Sequence, residues 1–225
     1  MESILSQIGE KDEVIISVDG AGDGSKPLLF KMADADKRIR VIKGPGKGVV
    51  RNFENAIRHC GGEIIYLSDQ DDIWKPDKVD KVNAAFADPK VIAVLHDAEI
   101  VDENGIPTGA ESLFAVRGSR TGIIKNLIKN SYVGCCMAFR KELVPVICPI
   151  PKEMYMHDYW IGTAAEYMGE VRLLEEPLIG YRRHSSNVTQ MTHGSLGFMI
   201  KKRLDILRCL GLLKRRVKET KKVGN

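Results

Sequence analysis

Three carboxylates stand close together in Tyr66-Leu67-Ser68-Asp69-Gln70-Asp71-Asp72-Ile73-Trp74, directly after an apolar run. Acidic groups gathered at the end of a buried strand repel one another unless a cation offsets them. Oxygen-only ligands select a hard divalent ion, Mg²⁺ or Mn²⁺, held by one or two carboxylates with substrate phosphate oxygens completing its shell. A plainer reading makes Asp72 the cap of a helix that starts at Ile73. A second chemical candidate is Gly44-Pro45-Gly46-Lys47-Gly48, since a Gly-rich turn before a helix can cradle phosphate. It lacks the spacing of a Walker loop, and a simple turn explains it equally well.

These groups need elements to position them. Glu13-Val14-Ile15-Ile16-Ser17-Val18 is a β-branched run closed by the Gly- and Asp-rich stretch Asp19 to Ser25, so it reads as a strand ending in a loop. Ile39 to Ile42 is a second strand, and Val49 to His59 has helical spacing through Val50, Phe53, Ala56 and Ile57. Glu63 to Ser68 is a third strand. Strands alternating with helices predict an α/β domain with a mainly parallel sheet, whose ligands bind beyond the carboxyl ends of the strands. Met1 to Ile8 reads as the last turns of an amphipathic helix, with no room for a strand before it. Val144 to Pro149 carries two prolines, which a central strand does not tolerate, and reads as a loop or edge segment.

With 225 residues, 44% of them hydrophobic, and 21 Gly and 9 Pro, the chain is neither collagen-like nor wholly disordered and can bury a sizeable core. Its apolar runs fall well short of the ~20 residues of a membrane span. Five cysteines, an odd number without a C-x-x-C pair, and no secretory signal predict a reduced, cytosolic chain. In that compartment the Asn187-Val188-Thr189 sequon stays unused. Lys201 to Asn225 holds ten Lys or Arg against two acidic residues, a net of +8 that leaves −4 on the rest of a chain whose total is +4. An acidic body argues against nucleic acid as partner. Leu196, Phe198, Met199, Ile200, Leu204, Ile206, Leu207, Leu210, Leu212 and Leu213 form an apolar helical stripe among the tail's cations. That pattern fits either a helix lying on a membrane surface or a helix docked on the core with a solvated basic face.

Taken together, these motifs resemble family 2 glycosyltransferases with the GT-A nucleotide-sugar fold, most of all the bacterial rhamnosyltransferase-like branch. The resemblance runs from Glu2 to about Thr192 and implies a Rossmann-like domain over residues 1–192, followed by a basic helical tail over 193–225. It implies that Asp69-Gln70-Asp71 is the family's D-x-D motif, with Asp71 the metal ligand and Asp69 reaching the donor's ribose or sugar beside the ion. Asp19 matches the second Asp of a nucleoside-contacting pair, with Val18 standing where the first is expected. Lys47 or Arg51 would meet the diphosphate. Tyr132 to Arg140 is similar to the acceptor-side segment, where a small residue opens space for sugar, although its cysteines also read as small buried hydrophobes. Met156-His157-Asp158-Tyr159-Trp160 resembles the segment of the catalytic base, a role that falls on Asp158, with His157 as a rival. Arg182, Arg183 and His184 match a motif that approaches the donor diphosphate.

The implied reaction is a metal-dependent, inverting single displacement that moves a sugar, rhamnose by analogy, from a nucleoside-diphosphate donor to a saccharide or lipid-linked saccharide. The implied setting is polysaccharide synthesis at the inner face of the cell membrane. One departure points elsewhere: the family's first apolar strand has no counterpart ahead of Met1, and its loss would leave an exposed strand edge. The alternative is a truncated, non-catalytic nucleotide-sugar-fold protein that serves as a binding or assembly partner.

Overall fold

A computed structural model describes residues 1–20, 24–183 and 196–223, with side chains from 203 to 222 in the last stretch. His184, the Asn187 sequon and the 192/193 boundary lie outside the described residues. After a single turn, α1 (Glu2–Leu5), the β-branched run forms β1 (Val14–Val18). It pairs in parallel with β2 (Ile39–Lys43) through the crossover helix α2 (Ser25–Ala35). Helix α3 (Val49–His59) then buries Glu54 and Ile57 and carries Arg58 and His59 in its last turn, where cations favour the helix dipole. Strand β3 (Ile64–Tyr66) delivers the acidic motif.

From here the alternation of strand and helix breaks. Strand β4 (Ile73–Trp74) follows β3 with no helix between them, and α4 (Lys78–Ala85) leads to the long strand β5 (Val91–Val101). Two short helices, α5 (Leu113–Arg117) and α6 (Ile123–Ile128), precede a 3₁₀ turn at Gly134–Cys136 and β6 (Met137–Arg140). After α7 (Val144–Ile147) come α8 (His157–Met168), β7 (Glu170–Arg182) and α9 (Leu196–Val223).

These strands make a five-stranded sheet in the order β3-β6-β5-β7-β4, separate from the β1-β2 pair. Only β5 and β7 run parallel in it, while β3-β6, β5-β6 and β4-β7 are antiparallel. The α/β class stands, but the sheet is mixed rather than mainly parallel. Parallel neighbours need a crossover of a dozen or more residues, and the alternation that implied one holds only up to β3. Among the described residues, β1 pairs only with β2 and β3 only with β6, so each keeps one edge without a strand partner.

Val144 to Pro149 also differs from the sequence expectation. Val144–Ile147 is a helical turn with Pro145 in its first residues, where a missing N–H costs nothing, and Val146 and Ile147 are fully buried. The largest hydrophobic cluster joins these residues to Trp160, Ile161 and Ala164 of α8, Phe139 of β6 and the inner face of α9, including Leu213. The C-terminal helix is therefore docked on the core.

Candidate active site

The first chemical group is built by the chain's exit from β3. Asp69 and Asp72 bring carboxylate oxygens within 4.8 Å of each other and of the Cys135 sulfur, which arrives from the 3₁₀ turn before β6. Asp72 is 9% exposed; its Oδ1 accepts the Arg182 N–H at 3.2 Å, and its buried Oδ2 has no hydrogen-bond partner. Arg182 also donates from Nε to the Asp71 carbonyl at 2.9 Å and from Nη1 to the Glu103 carbonyl. The end of β7 is thus laced to the Asp71-Asp72 segment. No helix starts at Ile73: β4 does, and α4 has Asp77 at its cap, so Asp72 is not a helix cap.

Electrostatics single out the same place. Burial and then the neighbouring carboxylates Asp72, Asp71 and Asp158 push Asp69 up to about 7. Burial likewise raises Asp72, opposed by its hydrogen bonds with Cys135 and Arg182. Lys78, 1% exposed, lies 3.9 Å from the Trp74 ring centroid and donates from Nζ to the Cys135 carbonyl at 3.4 Å. Burial draws its ammonium down to about 8, while Asp72 helps to hold the proton on. Lys78 is the buried cation here, with the Arg182 guanidinium at the Asp71 carbonyl and the charge of Arg117 acting on Asp158, and an orphaned Asp72 oxygen inside the cluster fits a divalent ion.

Asp158 stands in the first turn of α8, with Met156 as the N-cap residue. It is 9% exposed and its Oδ1 accepts the Tyr159 N–H at 2.7 Å. Burial is the main cause that lifts it to about 6, against hydrogen bonds and the charge of Arg117. Since Asp158 is among the charges that raise Asp69, the two acidic motifs share one field despite their distance in sequence. His157 does not compete as a base. Its ring stacks on Phe53 at 4.0 Å, its Nε2 is buried without a partner, and burial lowers it to about 4. A Cβ on Gly134 would fall 2.8 Å from that Nε2, so the space above this glycine is taken by His157 rather than left open for a sugar.

Two residues expected at the donor, Arg51 and Asp19, are engaged with protein groups. Arg51 donates to Glu54 at 2.5 Å and to the carbonyls of Ile150 and Pro151 at 2.6 and 3.1 Å, tying α3 to the loop before α8. Through Nη1 and Nη2, Arg51 braces α3 against the loop before α8. Asp19 accepts the backbone N–H groups of Gly46 and Gly48, so it organises the Gly-rich turn and leaves Lys47 exposed on it. Arg183 is exposed at the end of β7. Sequence reasoning missed Asp72 as a site member, Lys78, and Arg117 beside Asp158. Lys78 announced itself only as one more lysine after Trp74, and nothing in the spacing marked Arg117.

The mixed α/β fold thus brings an acidic strand exit and a second buried Asp, from a helix distant in sequence, into one field. The chain belongs to glycosyl transferase family 2, whose model matches residues 1–147. A similar protein is the uncharacterised glycosyltransferase alr2836 of Nostoc, 25% identical over 83% of this chain and 60% of its own length. Among solved structures, Staphylococcus aureus TarS with UDP-GlcNAc superposes with a TM-score of 0.65 at 15% identity, over 92% of this chain and 60% of that one. The mannosyltransferase PcManGT of Pyrobaculum calidifontis, with GDP-Man and Mn²⁺, gives 0.59 at 19% identity over 96% and 62%. At such identities the two structures establish the GT-A fold. The chain spans between half and 60% of the length of the curated relatives it matches over most of its own length.

Proposed function

We propose that this chain carries the donor site and catalytic base of a metal-dependent, inverting glycosyltransferase acting in envelope polysaccharide synthesis. The observation that carries the reading is the shared field of Asp69, Asp71, Asp72 and Asp158, with Asp69 raised to about 7 by burial and the neighbouring carboxylates and Asp158 to about 6 by burial. Asp71 and Asp69 would hold the divalent ion, with the Asp72 carboxylate, within 4.8 Å of that of Asp69, adding its charge; Mg²⁺ or Mn²⁺ there would supply charge compensation for a diphosphate. Arg182, Arg183 and Lys47 add positive charge for the same group.

Asp158 takes the proton from an acceptor hydroxyl as that oxygen attacks the anomeric carbon. The bond to the nucleoside diphosphate breaks on the opposite face, and the configuration inverts. A base raised to about 6 is still ionised at neutral pH and holds a proton better than an exposed carboxylate. The donor is a nucleoside-diphosphate sugar, with rhamnose as the analogue of the nearest-looking branch, and the acceptor a saccharide or lipid-linked saccharide. Removing the base by Asp158→Asn should lower kcat about 10²- to 10⁴-fold with little change in donor binding. The assay is nucleoside diphosphate release from UDP-, dTDP- and GDP-sugars in the presence of acceptor. Unchanged turnover in the variant would remove Asp158 from the mechanism.

The second reading, a non-catalytic relative, is favoured by Arg51 being held by the carbonyls of Ile150 and Pro151. It predicts no turnover with any donor, in a chain that is folded.

A further inference from the structure

The two roles open to the C-terminal helix are carried by different faces of it. Ile206, Cys209, Leu210, Leu213 and Val217 point inward into the main core, and Arg216 clamps the helix by donating to the carbonyls of Val146 and Pro149 at 3.0 and 2.8 Å. The outward side shows Leu204 and Leu207, each 50% exposed, while Leu212, 37% exposed, lies on the other flank of the helix. Gly211, one turn beyond Leu207, has open space where a side chain would stand, so the surface there is flat.

Charge is graded along the same face. Leu204 and Leu207 lie toward its N-terminal half; of the seven exposed Lys or Arg between 203 and 222, Lys214 and Lys221 turn to Tyr167 of α8, while Arg208, Arg215 and Lys218 stay on the outward side. Acidic partners are few: Arg208 meets Asp205 at 3.4 Å and Arg215 meets Glu219 at 2.9 Å, both weak surface pairs. Single exposed leucines are ordinary on a solvated surface; two of them on the same side as a row of cations suit an interfacial helix, whose leucines enter the headgroup boundary while its cations meet anionic lipid. Nucleic acid would use the cations and leave the leucines in water. No described helix is long and apolar enough to cross a membrane, so contact would be parallel to the surface.

We propose that the outward face of α9 seats the folded domain on an anionic membrane surface, with Leu204 and Leu207 inserted and Arg208, Arg215 and Lys218 on the headgroups. The helix does not leave the core to do this, since its inner face stays buried. Because α9 packs against α8, the seat would also fix the orientation of the helix that bears Asp158. The inference stands independently of the transfer reading.

Flotation of the purified chain with phosphatidylcholine vesicles and with mixed phosphatidylcholine–phosphatidylglycerol vesicles tests it. The chain should float with the mixed vesicles only. Arg208→Gln/Arg215→Gln/Lys218→Gln should weaken that binding about fivefold per residue, or on the order of 10²-fold in all. Leu204→Ser/Leu207→Ser, at exposed positions and checked for an unchanged circular dichroism spectrum, should abolish flotation. Failure to float with the mixed vesicles would overturn the proposal. So would equal binding to phosphatidylcholine alone, full binding by the leucine variant, or equally tight binding to a DNA duplex.

Discussion

Asp69 shows how a single side chain in this site is set by its company. Its carboxyl is raised to about 7, first by burial and then by Asp72, Asp71 and Asp158. The folded chain therefore holds a proton there, between about pH 4 and pH 7, that the unfolded chain has released. Stability from this group is full below pH 4 and is lost as pH rises through about 7. Asp69→Asn should accordingly raise the melting temperature at pH 8 without added cation, and the gain should shrink to nothing near pH 4. Because Asp69 also faces solvent, the gain is on the order of 1 kcal/mol, below the full ~1.4 kcal/mol per pH unit. Thermal melts across that range check it, and a destabilised variant at pH 8 would contradict the repulsion. Asp158 gives the matching kinetic sign: a base raised to about 6 must lose its proton to work, so turnover should climb as pH passes 6 and level off above.

Elements explain which parts of this were readable beforehand. The β-branched runs at Val14–Val18, Ile39–Lys43 and Ile64–Tyr66 state themselves in sequence, as does the amphipathic face of α3. Strand direction does not, since β6 enters antiparallel between β3 and β5 through contacts far apart in the chain. The acidic motif and Asp158 could be picked out from residue types and a family likeness, whereas the struts could not. Arg51 reads as a phosphate ligand in the sequence, and its grip on the loop carbonyls of Ile150 and Pro151 shows only in the fold. His157 looks like a base until Phe53 covers its ring. For α9 the sequence offered two roles, and only packing shows that the inner face is taken. Leu213 is fully buried in the cluster that also holds Trp160 and Ile147, so Leu213→Ala should cost about 2–5 kcal/mol in chemical denaturation. A loss below about 0.5 kcal/mol would mean that the helix is not part of the core.

At the scale of the molecule, an acidic body of net −4 carries its carboxylate cluster where β3 exits, and a basic helix of net +8 clamps the far side of α8. On the proposed reading the two charged regions do separate work: one would gather a cation and a diphosphate, and the other faces outward. Lys78, buried under Trp74, offsets only part of the carboxylate charge, so the cluster should bind a divalent ion and a nucleoside diphosphate together better than either alone. That cooperation is the central claim, and calorimetric titration of the folded chain with UDP and dTDP, with and without Mn²⁺, measures it directly. Binding that requires Mn²⁺ and disappears in Asp71→Ala is the predicted result. No binding of either nucleotide in the presence of Mn²⁺, or binding indifferent to both the ion and Asp71, would contradict the donor site described for these residues.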